Sequence, residues 1–447
     1  MHNLSLILIT IISSFLFFIA VLVFLLKKNI AIYLIIITLF LEASIFSFYL
    51  LGARIRIVQI IEIIVLFCIF IRFSIGKFRF LKTPIDVPLF GYLLINFIAI
   101  INSPSIYRSL KISILLLSLA LLYYIIVNYI DNKELFVNAF NLLLYVGLLE
   151  IIYGLYQVVA GIFNHYFNTN LYIGYLGLMH AEFINSPWGR PYGTFIEPDW
   201  YGAVAMFFSL LFISLYFSQL RERKKLYLFG MIISILGMFL SFVRISWVGF
   251  LVGMIFLLIF RPKVKLSKLN VKNFTKFFFY FIVFFLLFIF LTPNLLNILN
   301  TRFTFEGDAG ISVNNIRFIQ FKHALKLFLN SPIIGNGPGC FSVLGGEKDY
   351  GMLRFDLSIV TTVLADTGIL GAIFFIILSF SFFKYNLLTI PKINGFYQVV
   401  SFSLLGGIIG LFISYIFTQG FWIPFTWVFL GFNISALRIG LVDKSKE

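Results

Sequence analysis

Three charged residues, Arg190, Glu197 and Asp199, crowd into the short run RPYGTFIEPDW, and a fourth, Arg244, interrupts the apolar stretch FLSFVRISWVGF. Arginine combines a permanent charge with a planar fork of donors that grips two phosphate oxygens at once. Two arginines on different helices therefore suit a pyrophosphate. Carboxylates suit proton transfer: Glu197 and Asp199, with Asp356 from a later loop, can each accept a proton from an attacking hydroxyl at a site that excludes water. Each residue also has a plainer reading. A lone arginine at a membrane interface often snorkels to headgroups, and Asp199, directly after Pro198 and before a helical run, fits a helix-start cap. Arg244 resists the plainer reading better, because its hairpin is too short to place it freely in water, and a charge so near the membrane normally has a partner. Glu150, inside a long apolar run, reads as a buried pair partner.

A second group lies downstream. In RFIQFKHALKLFL the apolar Phe318, Phe321, Leu325 and Phe328 recur at three- and four-residue spacing with Lys322 and Lys326 beside them, which predicts an amphipathic helix along the membrane surface. Arg317 opens it. The helix must end at NSPIIGNGPGCF, where Pro332 and the glycines Gly335, Gly337 and Gly339 favour a tight turn with exposed backbone amides, an arrangement able to hold a phosphate. Tyr192, Trp188 and Trp200 are placed to stack on sugar rings, or equally to anchor the chain at the interface. His165, His180 and His323 have neither HExxH nor HxH spacing, and Cys68 and Cys340 form no CxxC pair, so neither a metal nor a cofactor is expected. No GxGxxG fingerprint, phosphate-binding Walker loop or GxSxG elbow occurs.

The elements that position these residues must be membrane helices. Of the 447 residues 61% are hydrophobic and 12% charged, more apolar side chain than a water-soluble globule can hide. The apolar residues fall into about thirteen runs near the length that carries a helix across a bilayer, among them Ile30–Leu51, Ile57–Phe73, an overlong Leu135–Phe163, Ile245–Phe260, Phe277–Leu291, Ile359–Phe383 and Phe421–Leu441. The fold expected is an all-α polytopic membrane protein of about 12–13 transmembrane helices, one membrane domain over 1–447 without internal repeats. Basic clusters (Lys27 and Lys28; Lys77, Arg79 and Lys82; Arg221–Lys225; Arg261–Lys276; Lys384 and Lys392; Lys444 and Lys446) fall on alternate loops and mark the cytoplasmic side. Most of the net charge of +16 sits there, facing anionic lipid, so no nucleic-acid partner is read from it. Two polar insertions, 164–200 and 292–357, then project extracytoplasmically, and long loops of this kind more often carry function than not.

Arg190 with GTFIEPDWYGA resembles the R-x-x-G-T-F, then P-N signature of the O-antigen ligase/polymerase superfamily, with Asp199 where that family usually has Asn. SFVRISWVGFLVG resembles its S-R turn, RFIQFKHALKLFLNSPIIGNGPGCF its arginine, amphipathic helix and P-x-x-G-x-G-P-G element, and LADTGILGAIFF its L-x-E-x-G helix. The four occur in the family's order over about residues 187–385. The resemblance implies a GT-C-like glycosyltransferase of the bacterial inner membrane. Such an enzyme takes glycan from an undecaprenyl-pyrophosphate-linked oligosaccharide at the outer face and passes it to a glycan or lipid acceptor without nucleotide sugar or required metal. Arg190 and Arg244 become pyrophosphate ligands by it. Where ligases of the family commonly place a histidine, this chain has Leu357 preceded by Asp356. That departure favours glycan polymerisation over ligation to lipid A-core or another acceptor. An inverting transfer is expected, with Asp356 as base and Glu197 next, and with Arg317 and Gly335–Gly339 shaping the donor site. A lipid-glycan transporter is the rival from another class; it calls for inverted repeats, broken helices and midplane charges.

Overall fold

The computed structural model describes residues 19–41, 48–50, 53–167, 169, 171, 189–218, 223–260, 276, 313–341, 358–418 and 420–445. The apolar runs become helices: α1 (Ile19–Leu26), α2 (Lys28–Thr38), α3 (Ile57–Ser74), α4 (Asp86–Ala99), α5 (Ile106–Tyr129), α6 (Lys133–Phe167), α7 (Pro198–Phe217), α8 (Lys224–Leu240), α9 (Arg244–Phe260), α10 (Val313–Asn330), α11 (Ile359–Thr389), α12 (Gly395–Tyr415) and α13 (Pro424–Lys444). Among the described residues seven are long and apolar enough to cross a membrane alone, or eight if α1 and α2 count as one span, and α4 and α9 are shorter apolar helices. The chain is a polytopic membrane protein, helical but for one short strand pair among the described residues. The expected run Phe277–Leu291 lies outside the described residues.

Three elements differ from the sequence reading. The run Ile30–Leu51 is not one span: α2 stops at Thr38 and is bent 113° from α1, and Phe48–Leu50 pairs antiparallel with Ala53–Ile55, Tyr49 opposite Arg54. Its aromatic and β-branched residues suit a ribbon as well as a helix. The long α6 is unbroken over 35 residues, about 52 Å against a hydrocarbon core of about 30 Å. It therefore runs into the first polar insertion instead of ending at Phe163. The third is α11, whose Gly368 has φ 61° and ψ −160°, so the helix is two segments meeting at a kink.

The centre of the bundle is built from α7 and α13, each 83% buried over its most apolar window, and α12 at 78%, while α3 at 33% lies at the edge. Phe207 of α7 and Phe429 of α13 stack with ring centroids 3.8 Å apart. Helices α9 and α12 meet through glycines spaced four apart: a Cβ on Gly249 would stand 2.6 Å from the Gly410 carbonyl oxygen, and one on Gly253 2.9 Å from that of Gly406. Such stripes let backbones approach where no hydrophobic effect drives helices together.

Polar contacts define the two ends. Lys28 pairs with Asp131 and Lys133 with Asp443, the Arg438 guanidinium donates to the Ile130 carbonyl, and that of Arg72 to the Leu25 carbonyl at 2.6 Å. These draw the α1–α2 break, the α5–α6 corner and the end of α13 into one basic collar. The start of α5, the end of α2 and the Arg190 loop lie at the opposite end.

Candidate functional site

The segment Arg190–Asp199 is fixed from its centre outward. Gly193 has φ 59°, and a Cβ there would collide with the Glu150 carboxylate and Tyr201, so only glycine fits. Two polar residues of α6 hold it. The Gln157 side-chain oxygen accepts the Tyr192 and Gly193 amides at 3.1 and 2.8 Å, and its NH2 donates to the Gly193 carbonyl at 2.9 Å. Glu150 accepts the Thr194 amide and hydroxyl, both at 2.8 Å, and that hydroxyl also lies against the Phe40 carbonyl just past α2. Glu150 is thus the buried partner expected, its partner being a threonine. Spaced seven apart, Glu150 and Gln157 share one face of α6.

Tyr192 is wholly buried beside Ala160, so its ring packs the loop against α6 and offers no face to a sugar, against the first of its two sequence readings. Trp200 packs at the edge of the core, and Trp188 lies outside the described residues.

At the outer edge of this loop Arg190 is committed on two sides. Its Nη2 donates to Asp199 Oδ1 at 2.6 Å and its Nε to the Ser241 carbonyl at 3.0 Å. Ser241 belongs to the turn between α8 and α9, where Phe242 takes φ 53°, a left-handed conformation uncommon for such a residue. Gly202 of α7 presses on the same turn, since a Cβ there would lie 2.8 Å from Ser241 Oγ. Arg244 is the first residue of α9, three positions past the carbonyl that Arg190 holds. The two arginines of the sequence reading are therefore brought to one corner of α7, α8 and α9. Of five guanidinium donors Arg190 uses two, leaving three.

Asp199 lies in the first turn of α7 but serves as the ion-pair partner of Arg190. Glu197 is the N-cap residue without a side-chain capping bond, its surface exposed but its carboxyl crowded. That crowding, and then the neighbouring Asp199 charge, push its pKa above the ordinary carboxylate range against the pull of Arg190.

The glycine turn is formed as expected, with φ of 85°, 87° and 76° at Gly335, Gly337 and Gly339. Its amides, however, are not exposed. That of Gly335 donates to the Ser331 carbonyl, Asn336 and Gly337 to the Ala365 and Asp366 carbonyls, all at 3.0 Å, and Cys340 to Gly337 at 3.1 Å. Gly339 donates to Asp366 Oδ2 at 3.0 Å, while the Cys340 thiol lies 3.2 Å from Oδ1. The amides of Ile369 and Leu370, freed by the kink at Gly368, reach back to the Pro332 and Ile333 carbonyls at 2.8 and 3.2 Å. The turn is thus a joint locking α10 to α11, and its amides have no capacity left for a phosphate. On its other side Asn102 donates to the Gly335 carbonyl at 3.1 Å and Ser109 to that of Pro338 at 2.7 Å, tying it to the α4–α5 corner.

Arg317 lies on α10, where only its backbone is described, and Asp356 lies outside the described residues. His323 sits edge-on to Phe341, and burial holds its pKa below the usual histidine value. Among the described residues no group of three or more His, Cys, Asp or Glu is placed to hold a metal ion.

Sequence reasoning missed Gln157 and Asp366. The first is an uncharged amide in a long apolar helix, detectable only as the residue seven places past Glu150. The second was part of a motif, but which groups it satisfies depends on the kink. Residues 229–376 match the family model described as O-antigen ligase, a stretch that holds Arg244, Arg317, the glycine turn and the kink and begins after the Arg190 loop. No curated protein matches the chain. The motifs quoted from the sequence and this match agree, and over residues 229–376 the chain is similar to the O-antigen ligase family.

Proposed function

We propose that the protein polymerises glycan repeats carried on undecaprenyl pyrophosphate, at the extracytoplasmic face of the bacterial inner membrane. The observation that carries this reading is the corner where Arg190, fixed by Asp199 and the Ser241 carbonyl, stands beside the start of α9 with three donors uncommitted. An acceptor hydroxyl attacks the anomeric carbon of the donor with inversion, the bond to the pyrophosphate oxygen breaks, and the arginines stabilise the charge that develops on the leaving group. Glu197 or Asp356 takes the hydroxyl proton. Arg317 and the joint at Gly335–Gly339 act through the placement of α10. A ligase passing finished glycan to a separate acceptor is the second reading, supported by the description of the matching family.

Purified protein incubated with lipid-linked repeats alone separates them. Extended chains mark a polymerase, and chains that form only on an added acceptor mark a ligase. Glycan that crosses a vesicle without any new glycosidic bond means a transporter, for which the α1–α2 break and the α11 kink would be the discontinuous helices. Arg190→Ala is expected to lower transfer at least a hundredfold while leaving the protein monodisperse, and Arg190→Lys to recover part of it, keeping charge without the fork. Undiminished transfer by Arg190→Ala removes the clamp.

A further inference from the structure

The glycine turn has spent its amides, yet a cation stands beside it. Arg108, in the first turn of α5, brings its Nε to 3.4 Å from where a Gly339 Cβ would be. That Nε is buried and has no hydrogen-bond partner, and among the described residues no carboxylate pairs with the guanidinium. Asp366 of α11, the acid that meets the turn, is engaged by the Gly339 amide and the Cys340 thiol. A buried donor without an acceptor bears its full desolvation cost, and a charge near the membrane normally has a counter-ion. The side chain is not free to swing away on a loose segment. Ser103 and Ser109 are bonded to each other at 2.6 Å, and Ser109 to Pro338, so the α4–α5 corner and the turn form one platform.

The surroundings indicate what carries the missing anion. Ile101, Ile106, Tyr107 and Leu110, neighbours of Arg108 along the α4–α5 corner, present exposed apolar surface at the end of the bundle opposite the basic collar. No acidic residue occupies the first turn of α5 to compete for the site. Surroundings of this kind suit an anion that carries a hydrocarbon tail.

We infer that Arg108 grips the phosphate oxyanion of a lipid-borne ligand through its charge and its fork, against the platform of Ser109, Pro338 and Gly339. The ligand is the pyrophosphate of the donor lipid or the phosphate of a bilayer lipid. The inference depends on the polymerase or ligase reading only for the first of these sources.

Affinity of the full-length detergent-solubilised protein for undecaprenyl pyrophosphate and for phosphatidylglycerol, measured by native mass spectrometry, tests it in Arg108→Gln, Arg108→Lys and Arg190→Gln. Arg108→Gln is expected to bind undecaprenyl pyrophosphate about tenfold more weakly and Arg108→Lys several-fold more weakly, with phosphatidylglycerol unchanged. Loss confined to phosphatidylglycerol also upholds the site and makes its ligand a headgroup. Wild-type affinity for both lipids in Arg108→Gln overturns the proposal, as it does in Arg108→Lys should the glutamine variant fail to fold. If Arg190→Gln alone loses the donor and Arg108→Gln keeps its affinity for both lipids, the clamp stands and this site falls; if Arg108→Gln alone loses the donor, this site stands and the clamp falls.

Discussion

Asp199 bears on the chemistry twice, once by orienting Arg190 and once by raising the pKa of Glu197. Asp199→Asn removes a negative neighbour of Glu197 and releases the positive charge of Arg190, and both changes lower that pKa. If Glu197 is the base, transfer falls off on the acid side as the carboxylate protonates, at a pH above the ordinary carboxylate range. The variant moves that acid limb to lower pH, measured as log kcat/KM against pH, and an unmoved limb assigns it to another group. Glu150 and Gln157 test the same corner from behind. Glu150→Leu strands the Thr194 amide and hydroxyl, a cost of about 1–3 kcal/mol for each buried group, and is expected to lower thermal stability and transfer together, whereas Glu150→Gln keeps an acceptor and loses less. Arg190 and Arg244 were legible in the sequence because a charge bordering apolar membrane helices is costly and persists where a partner or a ligand offsets it. Gln157 was not, since an amide in a helix carries no such signal. The place of Tyr192 was not legible, because an aromatic beside a candidate site looks the same whether its ring faces a ligand or the core.

Helix positions followed the apolar runs closely, because period and length together identify a membrane helix whatever it packs against. What the runs did not contain is where a helix breaks. The α11 kink arises from a contact between Gly368 and Ile333, 35 positions upstream, at which a Cβ would come within 2.6 Å of the Ile333 carbonyl. The ends of α2 and α6 likewise depend on partners, Phe40 on Thr194 and the far turns of α6 on the loop they hold. At this scale the glycine stripe between α9 and α12 matters most for the site, because α9 carries Arg244. Gly253→Leu must displace Leu210 and the Gly406 backbone, and is expected to cost about 1–3 kcal/mol or more, read as a lower unfolding temperature in detergent. Val248→Leu on the exposed face of the same helix is expected to leave that temperature unchanged. Equal loss in both variants means that the α9–α12 contact is not what positions the helix.

As a whole the molecule is a bundle with a basic collar at one end and its arginine corner and glycine joint at the other, which makes orientation a testable property. A cysteine placed at Glu197 is expected to react with a membrane-impermeant maleimide added to intact cells or spheroplasts, and one at Lys444 only after lysis; the native Cys68 and Cys340 are buried and contribute little background. The opposite pattern puts the arginine corner in the cytoplasm and removes an extracytoplasmic transfer. Polytopic architecture and the likeness to the O-antigen ligase family were both readable from hydropathy and motif order, but the joint between the α4–α5 corner and the glycine turn was not, because its hydrogen bonds span more than two hundred positions. The joint also constrains how such a chain can change over generations. Gly335 and Gly368 each occupy the space that a side chain on the other side of the contact would need, the Gly335 backbone meeting Asp366 and Thr367 while Gly368 meets Ile333 and Gly335 itself. A codon change at either one alone meets backbone it cannot displace. Descendants of this gene should therefore keep both glycines or abandon both together with the kink, and a single exchange should be found only alongside a rebuilt turn.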